Sequence, residues 1–397
     1  MTVDTRVARP LRSRLFRETA LPAKRDMSGA EAMGAALGSS SLEPGPPRVP
    51  PNGTAGGPPM WPGLRRPVAV IQPLPGIGDM VWHLPHIRAI AAYAGAPVTL
   101  VTKPRSLADQ LLASETSVSD IVWLDLNPSG RRGAHDGIGG LRRLAGTLRA
   151  GGFGSAILLH HSERLAAAAW LAGIPDRRGY GWGRQRWFLN AGPFLPDDVK
   201  NLHQHTRATR YLAAAGVPMA SAEPTIAVSA AIRAEAAARL GDNGGPYVAV
   251  GIGSTEALRQ WGTSRFGELA GALLDAGWPA LVLVGGAEDA RSAAMIADAL
   301  GQRGGHVRLA LAWDLADVTG LLSQAAFYVG NNTGVMNIAA ATGVRTYALF
   351  GSTRPFDHAS QIVPVTVADT GVHDGMVRLT VDAVLEAIRS DRGRLGP

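Results

Sequence analysis

Short apolar runs recur along this chain in two series, the second bounded by glycine, with helical stretches between or after them. A first series comprises Val68–Gln72, Val98–Thr102, Ile121–Leu124 and Ala156–His160. A second comprises Tyr247–Ile252, Ala280–Val284, Ala326–Val329 and Thr346–Phe350. The runs do not alternate apolar with polar, so both faces of each strand are expected to be covered, as in parallel sheets. Helical patterns fit between or after them, at Asp79–Tyr93, Glu163–Ala172, Gln204–Ala215, Ser264–Ala276, Asp289–Leu300, Asp317–Gln324 and Val335–Ala341, with Val381–Ser390 closing the chain. Strand and helix alternating twice over predicts an α/β protein of two Rossmann-like, doubly wound parallel-sheet domains. In such folds ligands bind beyond the carboxyl ends of the strands, so the chemistry is expected in a cleft between the two domains.

Composition sets the boundaries. From Glu43 to Gly63, 8 of 21 residues are Pro and 5 are Gly, too few apolar groups to pack a core. Residues 1–66 are therefore expected to be a disordered tail and linker, 67–220 the first domain and 221–397 the second. Translation from Met60 is an alternative for the start of the chain. The net charge of +7 divides as +5 over residues 1–66 (10 Lys+Arg, 5 Asp+Glu), +6 over 67–220 (16 against 10) and −4 over 221–397 (13 against 17). That split suits an anionic ligand on the first domain better than a continuous nucleic-acid track, so nucleic acid is not expected as a partner. With no cysteine among 397 residues, disulfides, thiolate metal sites and Cys nucleophiles are excluded. The longest apolar stretch, Leu165–Ile174, falls short of the roughly 18 residues that cross a bilayer. No signal-peptide stretch is evident, so a cytoplasmic protein is expected.

Three glycine-rich loops sit where strands give way to helices. Pro75-Gly76-Ile77-Gly78-Asp79 lets backbone turn sharply and a ligand approach closely, and it departs from G-x-G-x-x-G because Val81 holds the third glycine's place. Asp79 reads either as a helix cap or as a carboxylate placed to take a proton. Gly330-Asn331-Asn332-Thr333-Gly334 reads either as a capped turn or as an anion site of free amides at a helix start. Gly251-Ile252-Gly253-Ser254-Thr255 offers two hydroxyls, with Arg259 four residues beyond, and Glu288 follows Gly285-Gly286 where it could accept from a ribose hydroxyl. Trp261 reads as a packing anchor. Together these loops suggest a bound diphosphate. His160 and His161, adjacent on a strand, would point to opposite faces and share no metal ion, and no metal site is expected.

Several collinear segments resemble glycosyltransferase family 9, the heptosyltransferases of lipopolysaccharide core synthesis. They are PGIGDMVWHLPHIRAI at 75–90, WLAGIPDRRGYG at 170–181, HQHTRATRYLAAAG at 203–216 and VGNNTGVMNIAAATGVRTYALFGSTRP at 329–355. The resemblance implies a GT-B fold and an inverting, metal-independent transferase without cofactor, its acceptor on the first domain and its nucleotide-sugar, ADP-heptose, on the second. It puts Asp79 on the general base, Ser254, Thr255 and Arg259 on diphosphate contacts, and Thr333 and Gly334 on the donor loop. Glu288 falls near the ribose-binding acid and Trp313 near an adenine contact. Asn332 stands where the family usually has Asp, and Asn337 where it usually has His, which leaves open a different donor or a catalytically weakened nucleotide-sugar-binding protein. On the acceptor side Gly76 and Gly78 line the first loop, and anion contacts are expected from Arg131, Arg164 and Arg184. The partner implied is an anionic glycolipid, with peripheral contact at the cytoplasmic face of the inner membrane.

Overall fold

A computed structural model describes residues 61–241, 245–351, 353, 355, 358–367 and 375–391. The tail and linker expected over 1–66 thus lie, up to residue 60, outside the described residues. Five parallel strands make the first sheet: β1 (Val68–Ile71), β2 (Val98–Thr102), β3 (Val118–Trp123), β4 (Ser155–Leu158) and β5 (Asp176–Gly179), in the order β3-β2-β1-β4-β5. Six more make the second: β6 (Tyr247–Gly251), β7 (Ala280–Gly285), β8 (Val307–Leu311), β9 (Phe327–Asn331), β10 (Thr346–Phe350) and β11 (Ile362–Thr366), in the order β11-β10-β9-β6-β7-β8. In both sheets the order reverses beside the first strand laid down, and the crevice at that switch point is where a ligand fits.

Most expected elements form within a residue or two of their predicted ends; Thr346–Phe350 and Val381–Ser390 coincide with theirs. β5, β8 and β11 were not foreseen. β5 is Asp-Arg-Arg-Gly, and its charges are settled internally: Arg178 pairs with Asp176 at 2.7 Å, and the Ser155 hydroxyl donates to Asp176 at 2.7 Å. β11 carries Pro364, tolerated because the strand lies at an edge.

Trp61 corrects the linker boundary. Its indole is fully buried, donates to the Gly192 carbonyl at 2.9 Å, and meets the Tyr93 and Tyr211 rings edge-on. Arg178 lies 4.6 Å over its face. Packing of the first lobe therefore includes Trp61, inside the Pro/Gly-rich stretch, because one large aromatic brings its own burial.

Helices Gly137–Ala150 and Glu163–Leu171 cover one face of the first sheet, over a core of Ile71, Leu144, Leu158 and Leu165 that involves only that lobe. The opposite face is covered by helices Ile77–Ala94 and Gln204–Ala214. Their core continues from Met80, Leu84 and Tyr211 to Met336, Ile338 and Phe350 of the second lobe. The lobes are thus joined through apolar contact on one side and open into a cleft at their strand ends.

Candidate active site

The cleft encloses about 730 Å³ and is lined from both lobes. From the first lobe come Gly76, Gly78, Asp79, Trp82, Arg105 and His203. From the second come Ser254, Thr255, Arg259, Glu288, Asn332, Thr333, Gly334 and Asn337. The sites read from the three glycine loops are therefore brought to one place.

Asp79 is not the cap residue itself. Gly76 occupies that position, and Asp79 is the third residue of helix Ile77–Ala94, its Oδ2 accepting the Gly76 N–H at 3.0 Å. That bond fixes the carboxylate in orientation. Gln204 Nε2 stands 3.5 Å from Oδ1. Burial pushes the Asp79 carboxyl above the usual range, only partly offset by the Gly76 amide. A carboxylate held in one pose, with raised basicity, is what proton abstraction from a hydroxyl requires.

The second wall is made of backbone. A methyl group on Gly251 would stand 1.8 Å from the Tyr328 hydroxyl, and one on Gly330 would stand 2.5 Å from the Gly251 carbonyl. These glycines let β6 and β9 close up and leave their loops free to face a ligand. Gly253 is similarly confined, by Asp289, whose buried carboxylate accepts the Gly286 N–H at 2.8 Å. Glu288, the neighbouring acid, stays exposed on the cleft. Asn331 is wholly buried and braces the loop: it donates to the Ile252 carbonyl at 3.0 Å and accepts the Trp261 N–H at 3.2 Å. Trp261, read as an anchor, is buried and donates to the Leu379 carbonyl at 2.7 Å. Arg259 pairs with Glu256 at 3.0 Å and reaches the Asn332 carbonyl at 3.5 Å, so an arriving diphosphate would draw it from Glu256.

Helices Ile77–Ala94 and Gly334–Ala341 meet end to end across the cleft. A methyl on Gly334 would stand 2.8 Å from the Ile77 Cβ, and one on Gly78 would stand 2.9 Å from the Asn337 amide nitrogen. Both helices thus aim free amides and the positive ends of their dipoles into the same crevice. Asn337 ties them: its Oδ1 accepts the Trp82 indole N–H at 3.0 Å, and its Nδ2 donates to the Thr333 carbonyl at 3.0 Å. Asn332 donates to the Thr353 hydroxyl at 2.9 Å.

Four expected contacts fall elsewhere. Arg131 is exposed and pairs with Asp125 at 2.8 Å; Arg184 pairs with Glu163 at 2.9 Å; Arg164 is spent on the His135 and Gly137 carbonyls, each at 2.5 Å. None of the three is among the residues that line the cleft; each is neutralised or bonded on the outer side of the lobe. Trp313 does not line it either: it packs on the core beneath Arg239, 4.5 Å from the ring centre. Arg105, Trp82 and Asp289 were missed as site residues. Trp82 had a signal, since it lies three residues beyond Asp79 and so on the same helix face. His160 and His161 lie past the end of β4 with their rings stacked at 4.3 Å, so the expectation of opposite faces does not hold. Among the described residues no group of three His, Cys, Asp or Glu is placed to hold a metal.

Two Rossmann-like lobes around a nucleotide-sized cleft, an oriented carboxylate on one wall and amide-rich loops on the other, define a GT-B glycosyltransferase. The family model of glycosyltransferase family 9 (heptosyltransferase) matches residues 141–373, more than half of the sequence. The chain belongs to that family. Among solved structures, that of Escherichia coli ADP-heptose lps heptosyltransferase II is 23% identical with a TM-score of 0.65, covering 81% of this chain and 97% of its own. A family 9 glycosyl transferase from Veillonella parvula is 19% identical with a TM-score of 0.67, covering 81% and 96%. Escherichia coli heptosyltransferase WaaC with ADP-2-deoxy-2-fluoro heptose is 18% identical with a TM-score of 0.63, covering 82% and 99%. At these identities the likeness is one of fold. No curated protein sequence matches the chain.

Proposed function

We propose that this glycosyltransferase moves a heptose, with inversion, from ADP-heptose to a hydroxyl of a lipopolysaccharide core or similar anionic glycan. Asp79 takes the proton of the acceptor hydroxyl, whose oxygen attacks the anomeric carbon as the bond from that carbon to the diphosphate breaks. The leaving ADP gathers its negative charge among Arg259, the hydroxyls of Ser254 and Thr255, and the amides of Thr333 and Gly334, a fixed cradle in place of a metal. Glu288 accepts from the ribose. The first lobe takes the acceptor and the second the donor, at the cytoplasmic face of the inner membrane. The observation that carries the reading is the Asp79 carboxylate, raised in basicity and anchored by Gly76, across one cleft from the amides of the 330–334 loop. The fluoro-heptose nucleotide named with WaaC supports ADP-heptose as the donor.

The test compares Asp79→Ala with the native chain, following sugar transfer by product mass and ADP binding by calorimetry. Transfer is expected to fall by about 10²–10⁴-fold with ADP affinity unchanged. Undiminished turnover would overturn the role of Asp79. ADP-heptose binding by the native chain with no product on any core glycan would favour a binding protein instead.

A further inference from the structure

The outer face of the first lobe carries large apolar side chains that the reaction does not use. Trp187 is 74% exposed, Ile138 75%, Trp170 51% and Leu171 37%. They sit on three segments packed side by side: helix Gly137–Ala150, helix Glu163–Leu171 and the turn Gly183–Phe188. The contacts between segments are specific. Trp170 meets the Phe188 ring at 5.9 Å, Arg149 donates to the Leu171 carbonyl at 2.5 Å, Arg164 to the Gly137 carbonyl at 2.5 Å, and Arg184 pairs with Glu163 at 2.9 Å. The apolar groups and their surroundings therefore form one surface, about as long as helix Glu163–Leu171.

Its charge is one-sided. Over these three segments the one acid, Glu163, is paired with Arg184, and Arg164 is turned onto the His135 and Gly137 carbonyls, which leaves Arg142, Arg143, Arg149 and Arg186 as the excess charge. Arg142, Arg143, Arg149, Arg184 and Arg186 are exposed. Exposed tryptophan beside arginine, with almost no acid, is a chemistry that the headgroup region of an anionic bilayer matches. There the indole ring lies between acyl chains and water, and each guanidinium meets a lipid phosphate. A protein partner would have to supply both an apolar pocket and a surplus of acid. A second copy of this lobe, itself net positive, would bring like charges together. No described helix is long and apolar enough to cross a membrane, so contact through such a face is peripheral.

We infer that the face formed by Ile138, Trp170, Leu171 and Trp187 with its surrounding arginines docks the first lobe onto anionic lipid. The inference gives a physical surface to the membrane contact in the proposed function and rests on that reading only for the identity of the acceptor. The helices bearing this face pack on the core confined to the first lobe, whereas helix Ile77–Ala94, which carries Asp79, covers the other side of the sheet. Docking therefore leaves the cleft wall uncovered, with the outer helices and the sheet between it and the bilayer.

The test is co-sedimentation of the full chain with phosphatidylcholine vesicles, with and without phosphatidylglycerol, beside calorimetric ADP binding. Binding to the anionic vesicles alone, weakened by salt, is expected. Trp170→Ala/Trp187→Ala is expected to weaken it about tenfold or more, and Arg142→Gln/Arg186→Gln several-fold, each with native ADP affinity. Both pairs are on the surface, and ADP binding reports that the variants are folded. Equal binding to neutral vesicles, or tryptophan variants that sediment like the native chain, would overturn the inference. So would a dimer lost in the tryptophan variants without any vesicle binding, which would assign the face to a second copy. Failure here with transfer intact leaves the proposed function standing; loss of ADP binding by the native chain would remove that function and leave the vesicle result to be judged by itself.

Discussion

The two walls of the cleft are built from different materials. The second lobe presents strand-end loops bearing Ser254, Thr255, Arg259, Asn332 and Thr333, spaced by glycines at 251, 253 and 285 where a side chain would collide. The first lobe presents side chains, Asp79, Trp82, Arg105 and His203, gathered from three separate segments. A wall spaced by confined glycines has its loops fixed by the fold. A wall of side chains holds protons and selects shape, and its properties move with pH.

The largest effect is expected from adding one carbon to the backbone wall. Gly330→Ala would drive a methyl against the Gly251 carbonyl and the Tyr328 hydroxyl, at 2.5 and 2.6 Å. Overpacking of this kind costs about 1–3 kcal/mol. Thermal melting should show the loss, and calorimetry should show ADP binding abolished; native-like binding would mean that the loops do not depend on that close approach.

Acid should separate the lobes next. Burial depresses His83 and His203 to about 4 and His160 to about 3, all in the first lobe, and His358 beside them to about 3. His83, His86, His203, His205 and His358 form a chain of rings with successive centres 4.4–5.8 Å apart. A histidine whose folded pKa lies below its unfolded value near 6.5 takes up protons more readily when unfolded. Its stabilisation is thus complete above pH 6.5 and is lost as pH falls toward 4. Hydrogen exchange between pH 7 and 4.5 is expected to show opening of helices Ile77–Ala94 and Gln204–Ala214 while β6, β7 and β9 stay protected. Uniform loss across both sheets would erase the contrast.

Arg259→Gln should weaken ADP about 10–100-fold, the worth of a charge-assisted pair, and leave AMP or adenosine binding nearly unchanged. Equal loss for adenosine would place Arg259 away from the diphosphate. The smallest effect concerns the tie between walls. Trp82→Phe and Asn337→Ala each remove the same indole-to-amide bond, worth about 1 kcal/mol. The double variant should be little worse than either alone, with turnover reduced and ADP affinity kept; additive losses would show the two residues acting separately.

The backbone wall was legible in the sequence for a physical reason. Close approach of chain to chain can be met only by glycine, so it is written locally, and Ser254, Thr255, Asn332, Thr333 and Gly334 were found from loop position alone. The side-chain wall was legible only at Asp79, which shares its loop with glycines. Arg105 follows β2 without any such mark, and no spacing separates it from Arg131, Arg164 or Arg184, whose charges are consumed on outer helices. Charge counts show that a lobe is basic, not which guanidinium remains for a ligand. Trp313 misled similarly, since an indole beneath Arg239 serves packing. Asn337 was read through the loss of a titrating group. In the fold it acts as acceptor and donor at once, toward Trp82 and Thr333, a pairing an amide sustains at every pH. β5 was hidden because Asp-Arg-Arg-Gly carries no apolar run, and the pairing of Asp176 with Arg178 that lets it be buried is not visible in a pattern of apolar residues.

The end-to-end meeting of helices Ile77–Ala94 and Gly334–Ala341 has a mechanical corollary. Each terminus carries about half an elementary charge of the same sign, so the crevice holds two poles that repel. A nucleotide diphosphate entering between them turns that repulsion into a shared attraction, and its departure restores it. In the proposed reaction that attraction would be gained and lost once in each turnover.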